Sequence, residues 1–498
     1  MIQSENQKTI IFIIIAFIFS FTMRLIWVYQ FNDISAFQFN NQFMINTNDG
    51  YYWAEGARDI LNGITQNTDR SPTLSSLSNL TAYLVNILPF SFETIIFYMP
   101  AFFSSLIVVP IVLIGKSIDK LEVGFIAALI ASISWSYYNR TMVGYYDTDF
   151  LNIVFPTILL WSIIGAIKSK KLYEKQEVFY TIQLLSMMLI AMAQLDITFR
   201  FMLIFGYFML FRQVRWHKHL YIMFVMISIL FISSGGLNPI ISQLNNYVFK
   251  ESLQISGDEI RLHYFSVMQT IREASLIDFE TLANRISGNV IIFVLSLVGY
   301  IWMCVCRPIM LLGLPMLGLG LLSYGGGLRF TIYAIPVVSL GMGYLLFYIS
   351  NKIINKKLQL LFLIVSTSIV LIPNIKHIVD YRVPSVFTNS EVKVLDTINK
   401  VSSRDDYVVS WWDYGYPIRY YADVKTLSDG GKHNGSVNFP IAFSFLSNQE
   451  ISAKMLRLEV EYTEDRYSLD KESKSKYKTN LENMMYDYGY RNSNLFLD

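Results

Sequence analysis

The sequence predicts a polytopic α-helical membrane protein with a water-exposed α+β domain at its C-terminal end. Three observations lead there. Of its 498 residues, 53% are hydrophobic and 15% aromatic, and the mean hydropathy is +0.38, so bilayer rather than water is the solvent expected for most of the chain. Apolar runs long enough to span a membrane recur through residues 1–374. Residues 375–498 contain no such run and are rich in charge, as in "SSRDD", "EYTEDR" and "DKESKSKYK".

The first run, "TIIFIIIAFIFSFTMRLIWVYQF" (9–31), is too long for the apolar core of a signal peptide and lacks a small-residue cleavage site. It is expected to remain as an anchor. Further runs follow at about 94–115, 123–138, 151–167, 179–195, 199–211, 219–234, 289–306, 308–324, 330–350 and 358–374, some near the lower limit of roughly 17 residues for a span. That makes about eleven spans.

The loops "GKSIDK" (115–120), "KSKKLYEK" (168–175), "RQVRWHK" (212–218), Arg307 and "NKIINKK" (351–357) fall on one side under strict alternation. The positive-inside rule makes that side cytoplasmic. The outer side then receives 32–93, 139–150, 235–288, the "SYGGGLR" turn (323–329) and everything after about 375. The chain thus divides into a transmembrane domain, 1–374, and an outer domain, 375–498. Within the latter, "YVVSWW" (407–412) predicts a strand and "SNQEISAKMLRLEVEYTE" (447–464) a helix.

Composition also excludes some functions. A net charge of +2 is too small for a nucleic-acid footprint. Cys304 and Cys306, two apart inside an apolar run, suit neither a disulfide framework nor a zinc site and read as small core residues.

The residues that could carry chemistry lie on the outer side. In "NTNDGYYWAEGARDI" (46–60), Asp49 stands before Gly50, where a turn is the simpler reading. In "YYNRTMVGYYDTDFLN" (137–152), Asp147 and Asp149 sit at the lip of an apolar span, where idle carboxylates are costly. Asp149 could equally cap the following helix. Neighbouring carboxylates are hard oxygen ligands suited to Mg²⁺ or Mn²⁺, the ions used with phosphate-bearing substrates. Glu273, in "SVMQTIREASL" (266–276), could add a third, or could belong to a solvated helix face. Tyr247 and Arg285 share its loop, which is longer than connection requires. Arg329 follows three glycines in "SYGGGLRFTIY" (323–333). It either snorkels to the interface or offers a fixed cation for a phosphate. Arg140, near the aspartate pair, could orient a carboxylate.

"WWDYG" at 411–415, within "WWDYGYPIRYYADVKTLSDGGKHNG" (411–435), resembles the signature of the catalytic subunits of oligosaccharyltransferases, in their bacterial single-subunit form. Asp49, "DTD" (147–149), "TIRE" (270–273) and "GGGLRF" (325–330) match other motifs of that family in order and on one side, so the resemblance covers essentially the whole chain. It implies a GT-C type glycosyltransferase fold with about 11–13 transmembrane helices and a periplasmic C-terminal domain, in the bacterial inner membrane. It also implies a single-subunit, monomeric enzyme of N-linked glycosylation. Such an enzyme transfers an oligosaccharide from a polyprenyl diphosphate, undecaprenyl in bacteria, to the Asn of an Asn-x-Ser/Thr sequon, with inversion at the sugar carbon.

The resemblance further implies roles. Asp49 and Glu273 would be catalytic, binding the acceptor amide, and Asp49, Asp147 and Glu273, with Asp149 nearby, would hold Mn²⁺ or Mg²⁺, supported by Arg140. Trp411, Trp412 and Asp413 would receive the sequon hydroxyl. Arg285 would favour an acidic residue two before the asparagine. Arg329 would grip the lipid pyrophosphate, with Tyr247, Tyr416 and His433 near the donor sugar. Family members continue beyond the position of residue 498 and carry a Met-x-x-Ile element that "NMMYDYGY" (483–490) does not match. A C-terminally truncated, inactive form is therefore one alternative expectation, another polyprenyl-phosphate-dependent glycosyltransferase is a second, and an ion-coupled transporter is a third. A transporter would place its ionisable residues near the bilayer midplane.

Overall fold

The computed structural model describes residues 2–64, 71–168, 235–245, 275–433 and 437–468, together with scattered positions between 204 and 233. The protein is a multi-pass membrane protein. Among the described residues five helical segments are long and apolar enough to cross a membrane: Glu5–Phe31, Phe92–Ser117, Pro308–Gly326, Leu328–Ser350 and Lys356–Asp380. The pair Phe279–Ser287 and Val290–Cys306, bent by 72°, adds a sixth if it is one broken span. The runs expected at 179–195, 199–211 and 219–234 lie almost wholly outside the described residues.

Some expected runs are divided more finely than the sequence suggests. The run at 94–115 becomes Phe92–Ser105 and Val108–Ser117, and that at 123–138 becomes Leu121–Ile133 and Trp135–Asn139. Small residues bring the helices together. A Cβ on Gly299 would stand 2.1 Å from the Gly341 carbonyl oxygen, so only glycine lets Val290–Cys306 lie directly on Ile335–Ser350.

The N-terminal helix, Ile2–Phe31, reports which loops share a side. At its start Lys8 pairs with Glu122 at 2.6 Å, and Asn6 accepts from Lys116, also at 2.6 Å. At its end Trp27 and Gln30 donate to the carbonyls of Val383 and Val379, each at 2.8 Å. Between them, the buried Arg24 donates to the Thr141 carbonyl at 3.0 Å and to its hydroxyl at 2.8 Å. This fixes the loop that leads to Asp147, because a buried guanidinium is tolerated only where its donors are satisfied.

Outside the bilayer segments the first loop is folded. A hairpin pairs Gln38–Phe39 with Gln42–Phe43 through Asn40 and Asn41, both at positive φ, the backbone that a two-residue hairpin turn demands. The helix Asn48–Asn62 follows and ends at Gly63 in the left-handed region. Asp49 and Gly50 thus open a helix rather than forming the turn that Asp-Gly suggests.

In the C-terminal region, Asn389–Val401 starts with a capping box between Thr388 and Glu391. Strand Tyr407–Val408 pairs in parallel with Lys425–Thr426. The strand expected over 407–412 stops at Val408, because its partner is only two residues long and Trp412–Tyr414 wind into a 3-10 turn. The helix Gly415–Ala422 follows. The expected helix near 447–464 is Gln449–Ser468.

The Asn48–Asn62 helix is bound to this region by charge. Buried Arg419 donates to Glu55 at 3.1 Å and to Asp429 at 3.2 Å. Further along, Arg58 and Arg404 both reach Asp59 and Asp423, with Arg58–Asp423 at 2.7 Å and Arg404–Asp423 at 3.0 Å. Deleting one partner of such a buried set strands the others. Arg419→Met is therefore expected to destabilise the fold by about 3–5 kcal/mol, read as a lowered thermal midpoint in detergent.

Candidate functional site

Three chain segments meet where Asp49 emerges. The first is the start of the Asn48–Asn62 helix. The second is the loop at 144–149. The third runs from Trp411 to His433. Local sequence dictates the closeness of the first two: Gly50 lies so near the second loop that a Cβ on it would stand 2.6 Å from the Tyr146 carbonyl oxygen and 2.9 Å from Ile45 Cδ1. Any side chain at position 50 would push Asp49 away from Asp147. Gly50→Ala is expected to cost about 1–3 kcal/mol of stability through this overpacking, measurable by thermal unfolding.

Asp147 is partly buried, beside the buried Asp149. Its Oδ1 accepts from Trp53 Nε1 at 3.1 Å and from the Thr148 backbone N–H at 2.6 Å. Burial first, then the negative charges of Asp149 and Asp49, push its carboxyl up to about 7. Asp149 opens the short helix Asp149–Asn152, pairs with Arg140 and accepts from Asn152 Nδ2 at 3.1 Å. Asp49 itself is exposed.

The third segment comes up beside Asp49. A Cβ on Gly430 would sit 3.1 Å from Asp49 Oδ1 and 2.5 Å from Tyr416 Cε2. Tyr416 stacks on Tyr52 with ring centres 4.6 Å apart. Burial chiefly, with Asp429 and Asp49 nearby, drives its hydroxyl pKa upward, so it remains a neutral donor. Trp412 packs on His433 at 4.8 Å, and His433 Nδ1 lies 3.2 Å from the Asp429 carbonyl. Asp413 opens to solvent, yet partial burial raises its carboxyl above the ordinary value. Trp411 is exposed. The start of the Asn48–Asn62 helix therefore lies beside both the acidic loop and the tryptophan-aspartate segment.

Two expected participants, Arg285 and Arg329, lie on other elements of the described chain. Arg285, on Phe279–Ser287, acts electrostatically on His377, which bonds Asn139 at 2.7 Å. Arg329 lies in the turn Leu328–Ala334, which packs mainly on Leu314–Leu321 and then equally on Ser323–Gly326 and on Phe279–Ser287, the helix of Arg285. Glu273 and Tyr247 lie outside the described residues.

The donor set suits a hard divalent cation: two carboxylates, Asp49 and Asp149, act electrostatically on a third, Asp147, and their mutual repulsion is what a bound cation would relieve. Among the described residues no group of three acidic, His or Cys side chains is close enough to hold an ion unaided. A further ligand from elsewhere is needed.

Sequence reasoning passed over Asn46, Asn48 and Trp53, which make the contacts that bring these segments together. The run of polar residues in "NTND" was the available signal.

Two family models match: "STT3/PglB/AglB core domain" over residues 404–498 and "Oligosaccharyl transferase STT3, N-terminal" over 5–205. The undecaprenyl-diphosphooligosaccharide–protein glycotransferases of two Campylobacter jejuni strains are 39% and 38% identical, aligned over 99% of this chain and 75% of each of theirs. Among solved structures, the Archaeoglobus fulgidus oligosaccharyltransferase in complex with an inhibitory peptide and a dolichol-phosphate has a TM-score of 0.63 at 13% identity, over 91% of this chain and 69% of that one. Its apo form gives 0.64 at 12% identity, over 90% and 68%. At such identities the structural likeness speaks for the fold.

Proposed function

The chain belongs to the oligosaccharyltransferase family of STT3, PglB and AglB and is a protein glycotransferase of N-linked glycosylation; from that premise we propose how it works. It moves an oligosaccharide from undecaprenyl diphosphate to the Asn of an Asn-x-Ser/Thr sequon, at a site between Asp49, the 147–149 loop and Trp411–Asp413. The observation that carries this reading is the nearness of the 411–433 segment to Asp49, seen at Gly430. It supports a reading in which a hydroxyl-binding motif and an acidic cluster serve one acceptor peptide.

A sequon hydroxyl needs both a donor and an acceptor. The indole N–H groups of Trp411 and Trp412 supply the first and the Asp413 carboxylate the second. The acceptor amide nitrogen is a poor nucleophile because its lone pair is delocalised. Asp49, with Glu273, binds the amide N–H groups and draws them out of conjugation. The same two residues with Asp147 hold Mn²⁺ or Mg²⁺, while Asp149, paired with Arg140, adds negative charge behind them. When bound, the ion would offset charge developing on the departing diphosphate. Arg329 supplies a fixed cation for that diphosphate, and Tyr416, His433 and Tyr247 face the donor sugar. Arg285 favours an acidic residue two before the asparagine. Lys8 in the first helix, with Lys116 and Lys120, supports an orientation with this site on the outer side, periplasmic in the bacterial inner membrane.

In-gel transfer to a fluorescent peptide containing Asp-x-Asn-x-Thr, with Mn²⁺ or with EDTA, tests the reaction. Metal-dependent product is the expected result, and no product in either condition would refute it.

A pH dependence follows from Asp147. Without an ion, the folded chain holds this proton up to about 7, against 3.8 for an ordinary aspartate, so this group's contribution to stability declines as pH rises between those values. Ion binding must expel the proton. Mn²⁺ affinity, titrated on the purified chain, is therefore expected to strengthen from pH 6 to pH 8, and Asp147→Asn to flatten that trend.

A further inference from the structure

We propose that Asn46 and Asn48 are positioning residues that register Asp49 between the two halves of the site, one holding the 144–149 loop and the other holding the Trp411–Asp413 turn. This rests on the transfer reaction proposed above. Asn46 is buried. Its backbone N–H donates to the Gly144 carbonyl at 3.0 Å and its side-chain Nδ2 to the Val143 carbonyl at 3.0 Å. Gly144, at φ +78°, in turn donates to the Phe97 carbonyl at 2.8 Å, which ties this loop to the Phe92–Ser105 helix. Asp147 follows three residues later.

Asn48 faces the other half. Its Nδ2 donates to the backbone carbonyl of Asp413 at 2.6 Å, across 365 positions of sequence. Asn and Thr are favoured helix caps, yet Thr47, in the cap position, makes no side-chain cap bond. Asn48 lies one residue further and directs its amide to the turn that carries the acceptor-pocket aspartate. The neighbouring residue on the chain is Asp49. One short segment, 46–49, thus binds the acidic loop, binds the hydroxyl pocket, and presents a carboxylate between them.

The consequence concerns alignment rather than affinity. With Asn48 shortened, the two indoles, the Asp413 carboxylate and Asp49 all remain, but that carboxylate loses a hydrogen-bond partner and the spacing between the sequon hydroxyl and the sequon amide is no longer fixed. A displacement of about 1 Å in reacting groups can cost about 10²-fold in rate. Asn46 sets the same spacing from the metal side.

The experiment compares the unsubstituted full chain with Asn48→Ala and Asn46→Ala in detergent. Acceptor kinetics are measured with the fluorescent Asp-x-Asn-x-Thr peptide at saturating lipid-linked donor and Mn²⁺, and peptide Kd is read separately by fluorescence anisotropy. Asn48→Ala is expected to lower kcat by about tenfold or more, with peptide Kd changed by less than about threefold and the thermal midpoint held within about 3 °C. Asn46→Ala is expected to lower kcat in the same way and also to weaken Mn²⁺ binding, since it frees the loop bearing Asp147. A kcat within about twofold of the unsubstituted chain in Asn48→Ala overturns the proposal. So does a loss matched by an equal weakening of peptide binding, or one accompanied by a collapse of the midpoint. Absence of transfer by the unsubstituted chain would instead refute the reaction on which it rests.

Discussion

Replacing Asp49 by alanine is expected to reduce glycan transfer by about 10³-fold or more, with little loss of folded protein. Asp49 is exposed and opens a helix that Asn48, Glu55, Arg58 and Asp59 tie to the C-terminal region, so those contacts hold the fold when Asp49 is shortened. Its proposed work is chemical. It would ligate the ion and bind the acceptor amide together, and removing several kcal/mol of charge stabilisation at the reacting centre converts to about 10³ in rate at 1.36 kcal/mol per tenfold. Asp49→Asn separates the two roles, because the amide keeps one oxygen ligand but loses the charge. Single-turnover transfer at several Mn²⁺ concentrations reads this directly: the Asn variant should regain part of its rate at high Mn²⁺, and the Ala variant should not. A full rate for Asp49→Ala would remove Asp49 from the site.

The second large effect belongs to Asp413. A pocket that pairs a hydroxyl rejects analogues lacking it by as much as about 10⁴–10⁵, because its own polar groups would otherwise stand unpaired. Asp413→Ala removes the acceptor for the hydroxyl proton. It is expected to lower kcat/KM for an Asn-x-Thr peptide by about 10²-fold or more while leaving the trace rate on an Asn-x-Ala peptide unchanged, so the ratio between the two peptides collapses. Measuring that ratio distinguishes a specificity pocket from a general weakening of the site. A uniform loss on both peptides would mean that Asp413 supports the fold of its turn rather than the hydroxyl.

The chemistry-bearing residues were more legible than the contacts that assemble them. Asp49, Asp147 and the "WWD" triplet stand out because charged and indole side chains are conspicuous beside apolar runs, and their order along the chain carries a family resemblance. Asn48–Asp413 and Trp53–Asp147 were not legible, since their members are 365 and 94 positions apart and nothing local to either residue names its partner. Gly50 was misread for a related reason. Asp-Gly favours a turn locally, but the closeness of the Tyr146 carbonyl supplies a different and tertiary reason for glycine there. The strand at 407–412 was overextended because β-branched and aromatic residues report compatibility with a sheet, not the length of the neighbouring strand. The five long membrane segments among the described residues were legible from hydropathy, while their breaks, as between Ser105 and Val108, depend on packing that a hydropathy window averages away.

The decisive measurement is the location of Mn²⁺ relative to a bound acceptor. Crystals or vitrified particles of the full chain, prepared with Mn²⁺ and a non-reactive peptide in which the sequon Asn is replaced by 2,4-diaminobutyric acid, would show both, with anomalous scattering or density marking the ion. The proposed site requires the ion on Asp49 and Asp147, the peptide hydroxyl on Trp411–Asp413, and the substituted side chain between them beside Asp49. An ion bound elsewhere, or a peptide whose hydroxyl lies away from Trp411–Asp413, would contradict it.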